Sequence, residues 1–102
     1  MTTLNILDII QQDIIKVYNI QDKKINKIEI DSRKIIENDI FIAINGKNIN
    51  GHDYIIESIK KGASLIIVSE EVNINEDVMI IKVKDTIDIL AILAKYILNK
   101  SK

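Results

Sequence analysis

The 102-residue sequence contains no cysteine, proline or tryptophan, and it has a single histidine, His52. The missing cysteines exclude disulfides, thiolate nucleophiles and cysteine-based metal sites. One histidine excludes a metal site that this chain would build from several histidines. No apolar run approaches the ~20 residues that cross a bilayer, and no charged and then apolar leader opens the chain. We therefore expect neither a membrane partner nor a secretory signal peptide.

The charges nearly balance, with 14 basic and 15 acidic residues and a formal net charge of −1. Nucleic-acid-binding domains normally carry a basic excess, so we expect no nucleic-acid partner. A hydrophobic fraction of 47% is typical of a folded chain rather than a disordered one. The length predicts one small domain that spans residues 1–102.

Half of the sequence consists of three residue types, with 27 isoleucines, 13 lysines and 10 asparagines. These residues share A/T-rich codons, so their abundance describes a genome more than a fold. The informative residues are those that depart from the bias, chiefly Arg33, Gly46, Gly51, His52 and Gly62.

Hydrophobic spacing predicts the element order α-β-β-α-β-β-α, which indicates an α/β fold with a small mixed or mostly parallel sheet flanked by helices. The predicted helices cover residues 3–12, residues 54–61 and a segment beginning after Asp85 or Thr86, and the predicted strands cover residues 25–31, 40–44, 65–68 and 78–83. We expect Thr2 or Thr3 to cap the first helix and Gly62 to end the second. We expect residues 98–102 to fray or to continue into a longer polypeptide.

The segment Asp31-Ser32-Arg33 follows the first predicted strand, and ligands bind at the carboxyl ends of strands in open α/β sheets. The Ser32 hydroxyl can donate and accept hydrogen bonds, and the planar Arg33 guanidinium suits a phosphate or a carboxylate. The alternative is a structural turn in which Asp31 caps backbone N–H groups. The residues alone leave both interpretations open.

Residues 45–53 are the most polar and glycine-rich stretch, which predicts a loop after the second strand. Gly46 and Gly51 allow positive φ angles and a close approach of a ligand to the backbone. Free N–H groups followed by a helix start would suit a phosphate or a uracil edge. The alternative is an ordinary connection in which Asp53 caps the next helix.

The sequence contains no motif for catalysis. It has neither a G-x-x-x-x-G-K-S/T phosphate-binding loop nor a G-x-G-x-x-G dinucleotide motif, and a Ser-His-Asp triad could form only around His52. We expect His52 to form hydrogen bonds rather than to bind a metal, and Tyr54 to anchor its helix to the sheet. The sequence therefore predicts no catalytic residue and no metal ligand.

Four linked segments follow one another along the chain, namely Ile30-Asp31-Ser32-Arg33-Lys34, Ile40-Phe41-Ile42-Ala43-Ile44-Asn45-Gly46, Asn50-Gly51-His52-Asp53-Tyr54-Ile55 and Ile59-Lys60-Lys61-Gly62-Ala63. Together they resemble the N-terminal domain of the Mur ligases of peptidoglycan synthesis. The later Lys82-Val83-Lys84-Asp85-Thr86 resembles the segment that leads into the family's central domain. The resemblance covers residues 25–98 at matching spacing.

The resemblance implies a domain that binds the UDP end of a UDP-N-acetylmuramoyl-peptide, in an ATP-dependent cytoplasmic ligase. The UDP-binding residues that it implies are Ser32, Gly46, Lys47, Asn48, Ile49, Asn50 and Gly51. Arg33 joins them as a UDP-binding candidate because its guanidinium suits a phosphate. The full-length enzyme would use ATP and Mg²⁺, but the family's G-T-N-G-K-T phosphate loop is not in these 102 residues. The resemblance thus implies a central domain as partner, no cofactor in this chain, and no activity of this chain alone.

Three details are more similar to the ligase that adds D-alanyl-D-alanine than to the ligase that adds the third amino acid. They are Ile30 before Asp-Ser-Arg, Gly-His-Asp-Tyr at residues 51–54, and Lys-Asp-Thr at residues 84–86. The second ligase stays an alternative, as do a free-standing regulatory or interaction module and a small nucleotide-binding domain with another ligand.

The sequence departs from the family pattern at two places. Glu37-Asn38 stands where the family has Pro-Gly, and an asparagine can adopt the left-handed turn that glycine would. Asn50 stands where the family has an aspartate, which removes a negative charge beside the nucleotide loop.

Overall fold

A five-stranded mixed sheet forms the centre of the structure, a computed structural model that describes residues 1–100. The helices are α1 (Thr3–Ile9), α2 (Ile55–Lys60) and α3 (Thr86–Lys100), and the strands are β1 (Ile14–Tyr18), β2 (Ile28–Glu29), β3 (Ile40–Ile42), β4 (Leu65–Val68) and β5 (Met79–Val83). The strand order is β1-β5-β4-β3-β2, with β2 to β5 parallel and β1 antiparallel to β5. The prediction of a mixed or mostly parallel sheet is confirmed, and the sheet is mixed with one antiparallel strand.

The sheet carries a hydrophobic core on each face, because successive side chains of a strand point to opposite faces. The core beside α1 and α3 contains Ile6, Ile10, Ile40, Ile42, Leu65, Ile67, Met79, Ile81, Val83, Ile89 and Leu93. The core beside α2 contains Ile35, Phe41, Ala43, Ile55, Ala63, Ile66, Val68, Val78 and Ile80. The helices therefore flank the sheet on both faces, as predicted.

The sequence did not predict β1, and the predicted first helix is too long. The helix α1 ends at Ile9, and a 3-10 turn over Gln11–Asp13 leads into β1. The spacing of Ile6, Ile10 and Ile14 continues the helical pattern across this break. Ile14 instead pairs with Val83 of β5, so a tertiary strand pairing overrides the local pattern.

Strand β2 is also shorter than the predicted strand over residues 25–31. The Glu29 carboxylate turns back onto its own chain, and its Oε1 accepts the N–H groups of Ile30 and Asp31, each at 3.1 Å. The Glu29 side chain thus accepts N–H groups that in a longer strand would be available to a neighbouring strand. The strand therefore ends at Glu29.

Several local backbone predictions are confirmed. Thr2 caps α1, since its Oγ1 accepts the Asn5 N–H at 3.2 Å and Asn5 Oδ1 accepts the Thr2 N–H at 2.8 Å. Gly62 follows α2 with a φ of 109°, and Asn38 has a φ of 70°, the left-handed conformation expected of it. The two turns are joined, because the Asn38 N–H donates to the Gly62 carbonyl at 2.9 Å.

Helix α3 begins after Asp85, whose Oδ1 accepts the Ile87 N–H at 2.8 Å. This contact identifies Asp85 as the cap among the two predicted residues. The helix includes residues 98–100, and the rest of the expected frayed end, residues 101–102, lies outside the described residues. Among the helices of residues 1–100, none is long and apolar enough to cross a membrane.

A buried carboxylate, Asp39, stands just before β3 with its side chain fully buried. It accepts hydrogen bonds from Lys27 Nζ (2.5 Å), Asn26 Nδ2 (3.0 Å) and the Ile36 N–H (2.9 Å). Burial alone raises the pKa of Asp39, but these three donors outweigh burial and leave the pKa below its ordinary value. These hydrogen bonds connect Asn26 and Lys27, just before β2, to Asp39 at the start of β3.

Candidate functional site

The carboxyl ends of β2, β3 and β4 lie at one edge of the sheet because these strands are parallel. The turn after β2 and the loop after β3 project from this edge. A cleft of about 430 Å³ lies between them. It is lined by Ile30, Asp31, Ser32, Arg33, Ile44, Ile49, Gly51 and Tyr54.

Four of the eight residues proposed from the sequence line this cleft, namely Ser32, Arg33, Ile49 and Gly51. Gly46, Lys47 and Asn48 lie at the exposed tip of the loop, and the Asn50 side chain points into a hydrogen-bond network behind it. The structure therefore brings the predicted turn and loop together, with only part of the loop at the cleft.

Sequence reasoning did not assign Ile30, Asp31, Ile44 and Tyr54 to the cleft. Tyr54 was expected to anchor its helix to the sheet, but the residue is 41% exposed and lines the cleft instead. Its place in a 3-10 turn over Gly51–Tyr54, ahead of α2, turns it away from the core. The exposed Ile30 was hidden by the abundance of isoleucine in the sequence.

The turn after β2 holds the Arg33 guanidinium in place through Asp31. Asp31 Oδ1 accepts the Arg33 N–H (3.0 Å) and Nε–H (3.0 Å), and Oδ2 accepts from Nη2 (2.8 Å). These hydrogen bonds from Arg33 lower the pKa of Asp31 to about 2. Asp31 thus caps the turn, as the structural interpretation predicts. Arg33 has an 82% exposed side chain and keeps three of its five N–H donors outside this ion pair, and ligand binding by it stays a prediction.

Ser32 is buried beneath this turn and connects it to α2. Its Oγ donates to Glu57 Oε2 at 2.8 Å. Glu57 also pairs with Lys61 at 3.5 Å, and Lys61 Nζ donates to the Arg33 carbonyl at 3.3 Å. The hydroxyl is thus oriented by a residue of α2, and its lone pairs remain able to accept a hydrogen bond.

The loop after β3 closes as a tight hairpin, with Asn45 and Asn50 paired in an antiparallel bridge. Neither Gly46 nor Gly51 has a positive φ, so neither uses the left-handed backbone that a glycine allows. Gly51 is needed for a different reason. A Cβ at this position would lie 2.5 Å from Ile44 N and 2.7 Å from Ile44 O, so the loop packs directly on the backbone after β3.

His52 forms hydrogen bonds, as expected, and its ring is 6% exposed. The Ser69 N–H donates to Nε2 at 3.0 Å, so Nε2 is an acceptor and the proton resides on Nδ1. Nδ1 lies 2.8 Å from Asn50 Oδ1 and 3.0 Å from Asn45 Oδ1. Asn50 Oδ1 also accepts the His52 N–H at 2.9 Å, so Asn50 caps this turn. The alternative in which Asp53 caps the next helix is wrong, because Tyr54 precedes α2 and no side chain caps that helix.

The amide ends of the same two asparagines bind Glu70. Asn45 Nδ2 donates to Glu70 Oε2 at 2.8 Å, and Asn50 Nδ2 donates to it at 3.1 Å. The Asn45 hydrogen bond is the main reason that the pKa of Glu70 is lowered. An aspartate at position 50 would set two carboxylates against each other, which gives a physical reason for the asparagine.

The cleft offers a hydroxyl, a guanidinium and backbone groups rather than a cluster of metal ligands. Among residues 1–100, no group of three histidine, cysteine, aspartate or glutamate side chains is arranged to hold a metal ion. These donors suit an anionic ligand with a flat apolar part, since Ile30, Ile49 and Tyr54 expose apolar surface around them.

Known proteins match the chain over most of its length. A family model described as "Mur ligase family, catalytic domain" matches residues 24–97. A UDP-N-acetylmuramoyl-L-alanyl-D-glutamate--2,6-diaminopimelate ligase of Clostridium perfringens is 43% identical over 74 residues, 72% of this chain and 15% of that protein. A UDP-N-acetylmuramoyl-tripeptide--D-alanyl-D-alanine ligase of Rickettsia prowazekii is 40% identical over 77 residues, 76% of this chain and 17% of that protein.

A solved structure agrees with these sequence relatives. The MurF ligase of Thermotoga maritima in complex with ADP is 35% identical, with a TM-score of 0.64 over 74% of this chain and 17% of that one. The chain thus spans at most 17% of the length of these three proteins. It belongs to the Mur ligase family and is an N-terminal domain of that family.

Proposed function

We propose that residues 1–102 form a domain that binds the UDP end of a UDP-N-acetylmuramoyl-peptide in an ATP-dependent ligase of peptidoglycan precursors. The cleft between the turn after β2 and the loop after β3 is the observation that carries this proposal. The free donors of Arg33 suit the diphosphate. The apolar side chains of Ile49 and Tyr54 suit the faces of a pyrimidine.

In this proposal the domain positions the substrate and leaves the chemistry to other parts of a longer enzyme. ATP with Mg²⁺ would activate the peptide carboxylate in the central domain, the partner of this domain, and an amine would attack. This chain alone would be inactive, because it contains no phosphate-binding loop. The same proposal locates the enzyme in the cytoplasm, where ATP is available.

We further propose that the parent enzyme adds D-alanyl-D-alanine, as the Rickettsia prowazekii relative's name states for that protein. The second candidate is the addition of 2,6-diaminopimelate, which the name of the 43% identical Clostridium perfringens relative favours. Phosphate release by the full-length parent with each amine and its matching UDP-sugar-peptide separates the two. A reading frame that continues without a G-T-N-G-K-T loop would instead favour a free-standing module.

An NMR titration of the chain with UDP tests the nucleotide site. We expect amide shifts at Ser32, Arg33, Ile49 and Gly51, and Arg33→Gln is expected to weaken binding about tenfold, because one charge-assisted hydrogen bond contributes about 1.5 kcal/mol. Lys95→Gln removes an exposed cation on α3, a helix that does not line the cleft, and is expected to bind like the wild type.

Two outcomes would contradict the proposed site. One is an absence of shifts around the cleft at millimolar UDP. The other is an equal loss of affinity in Arg33→Gln and Lys95→Gln, which would mean that general charge attraction rather than the fixed guanidinium binds the nucleotide.

A further inference from the structure

His52 connects three separate parts of the molecule around the cleft. Its Nε2 accepts from Ser69 at the end of β4, and its Nδ1 reaches Asn45 and Asn50, the two ends of the hairpin loop. Behind the loop, Glu70 binds the amide ends of the same asparagines. The loop is therefore held to the end of β4 by one buried ring and one carboxylate.

We propose that His52 is a positioning residue for the nucleotide cleft, and that its uncharged imidazole holds the hairpin loop in place as one wall of that cleft. This inference rests on the proposed function. Ile49 and Gly51 belong to the end of the loop and line the cleft, so a shift of the loop changes the shape of the site. His52 does not itself line the cleft and acts through these residues.

Protonation of His52 would reverse its contact with Ser69. Nε2 would carry a proton and face the Ser69 N–H, so two donors would meet at a distance of 3.0 Å. Two carboxylates act on the ring: Glu70 Oε2 lies 3.5 Å from Nδ1, and Asp53 follows in the chain. Burial lowers the pKa of His52, and these carboxylates offset only part of that effect.

The lowered pKa of His52 determines how stability and nucleotide affinity change with pH. Because the folded pKa lies below the ordinary value of about 6.5, the ring is uncharged at neutral pH and the loop is held. As the pH falls below about 6.5, first the unfolded state and then the folded state takes up the proton. Both the stability of the chain and its nucleotide affinity should fall over this range.

The binding test uses UDP-N-acetylglucosamine, whose diphosphate lacks the phosphate ionisation near pH 6 that would confuse a titration with UDP. We expect the wild-type dissociation constant to rise about threefold to tenfold from about pH 7.5 to about pH 5, the effect of losing one hydrogen bond. The midpoint should match that of the His52 ring, which is the only histidine signal of the chain.

Two variants distinguish positioning from a merely structural role. His52→Gln keeps an amide acceptor without a titrating proton, so its affinity should stay within about threefold of the wild type at neutral pH and lose the pH dependence. His52→Phe fills the volume without hydrogen bonds, so binding should weaken about tenfold at both pH values. A wild-type pH slope in His52→Gln, or wild-type affinity in His52→Phe, would overturn the proposal.

A measurement on the unliganded wild type covers the case in which neither variant folds. The Ser69 and Asn45 amide signals should shift with the same midpoint as the His52 ring. If they do not move with it, the positioning role is overturned whatever the binding data show. If they do, but UDP-N-acetylglucosamine causes no shifts at the cleft, the proposed function has failed instead.

Discussion

Lys27→Met is expected to lower the free energy of unfolding by about 3 kcal/mol, because it leaves a buried carboxylate without its cation. Asp39 is fully buried, and without Lys27 it would keep only the hydrogen bonds from Asn26 and Ile36. Lys27 is 43% exposed, so water screens part of the attraction, and the expected loss lies at the lower end of the usual range. Urea denaturation at neutral pH measures it.

The double variant Lys27→Met/Asp39→Asn is expected to be more stable than Lys27→Met, since it removes the unpaired charge and keeps an acceptor. Lys95→Met, an exposed substitution on α3, serves as the matched control and should change stability by less than about 0.5 kcal/mol. If the double variant were the less stable of the two, the charge on Asp39 would not be the source of the loss.

The pH dependence of the stability difference between wild type and Lys27→Met provides a second test of this prediction. In the wild type the pKa of Asp39 is lowered, so its contribution to stability is present above about pH 4 and is lost as the pH falls through the folded pKa. Without Lys27, burial would raise that pKa. The stability difference between wild type and Lys27→Met should therefore shrink as the pH is lowered from 7 towards about 4.

Gly51→Ala is expected to destabilise the chain by about 2–3 kcal/mol, because the added methyl group meets rigid backbone. Its Cβ would lie within 2.7 Å of both Ile44 N and Ile44 O, and the Gly51 N–H donates to that same Ile44 carbonyl at 2.9 Å. Relief of the clash must stretch this hydrogen bond and move the loop. Thermal denaturation measures the loss, and NMR shifts at Ile44 and Ile49 locate it.

Gly46→Ala is the matched control within the same loop. A Cβ there meets only Ile49 O, at an ordinary 3.5 Å, and the backbone has no positive φ. We expect its stability to stay within about 0.5 kcal/mol of the wild type. Equal losses in the two variants would show that general flexibility of the loop, rather than the close approach at Gly51, requires glycine.

The elements that could be predicted from the sequence are those that neighbouring residues determine. Residues 65–68 were predicted as a strand and are β4, because a short apolar run lies between polar turns. The left-handed Asn38 followed from the glycine that the family pattern has at this position and from the ability of asparagine to replace it. The turn after β2 and the loop after β3 were each candidate sites from their residues, and they share one cleft because parallel strands end at the same edge of the sheet.

The missed features depend on contacts between distant residues. Glu57 orients Ser32 from 25 positions away, and Glu70 binds Asn45 from the same separation. No spacing rule predicts such distant partners. The sequence contains 29 charged residues, and nothing in it distinguishes the two that form these contacts from the others. Strand β1 likewise exists because β5 lies beside it.

The two edge strands of the sheet, β1 and β2, affect whether this chain aggregates. Aggregation is a concern because 27 of its 102 residues are isoleucine. An exposed edge of a β-rich sheet invites another copy to add a strand, which begins aggregation. Here one edge, β2, is two residues long and is followed by a charged turn. The other edge, β1, has a register irregularity between Ile14 and Lys16. Neither edge offers a long flat template, so we expect the chain to resist fibril formation at concentrations suited to NMR.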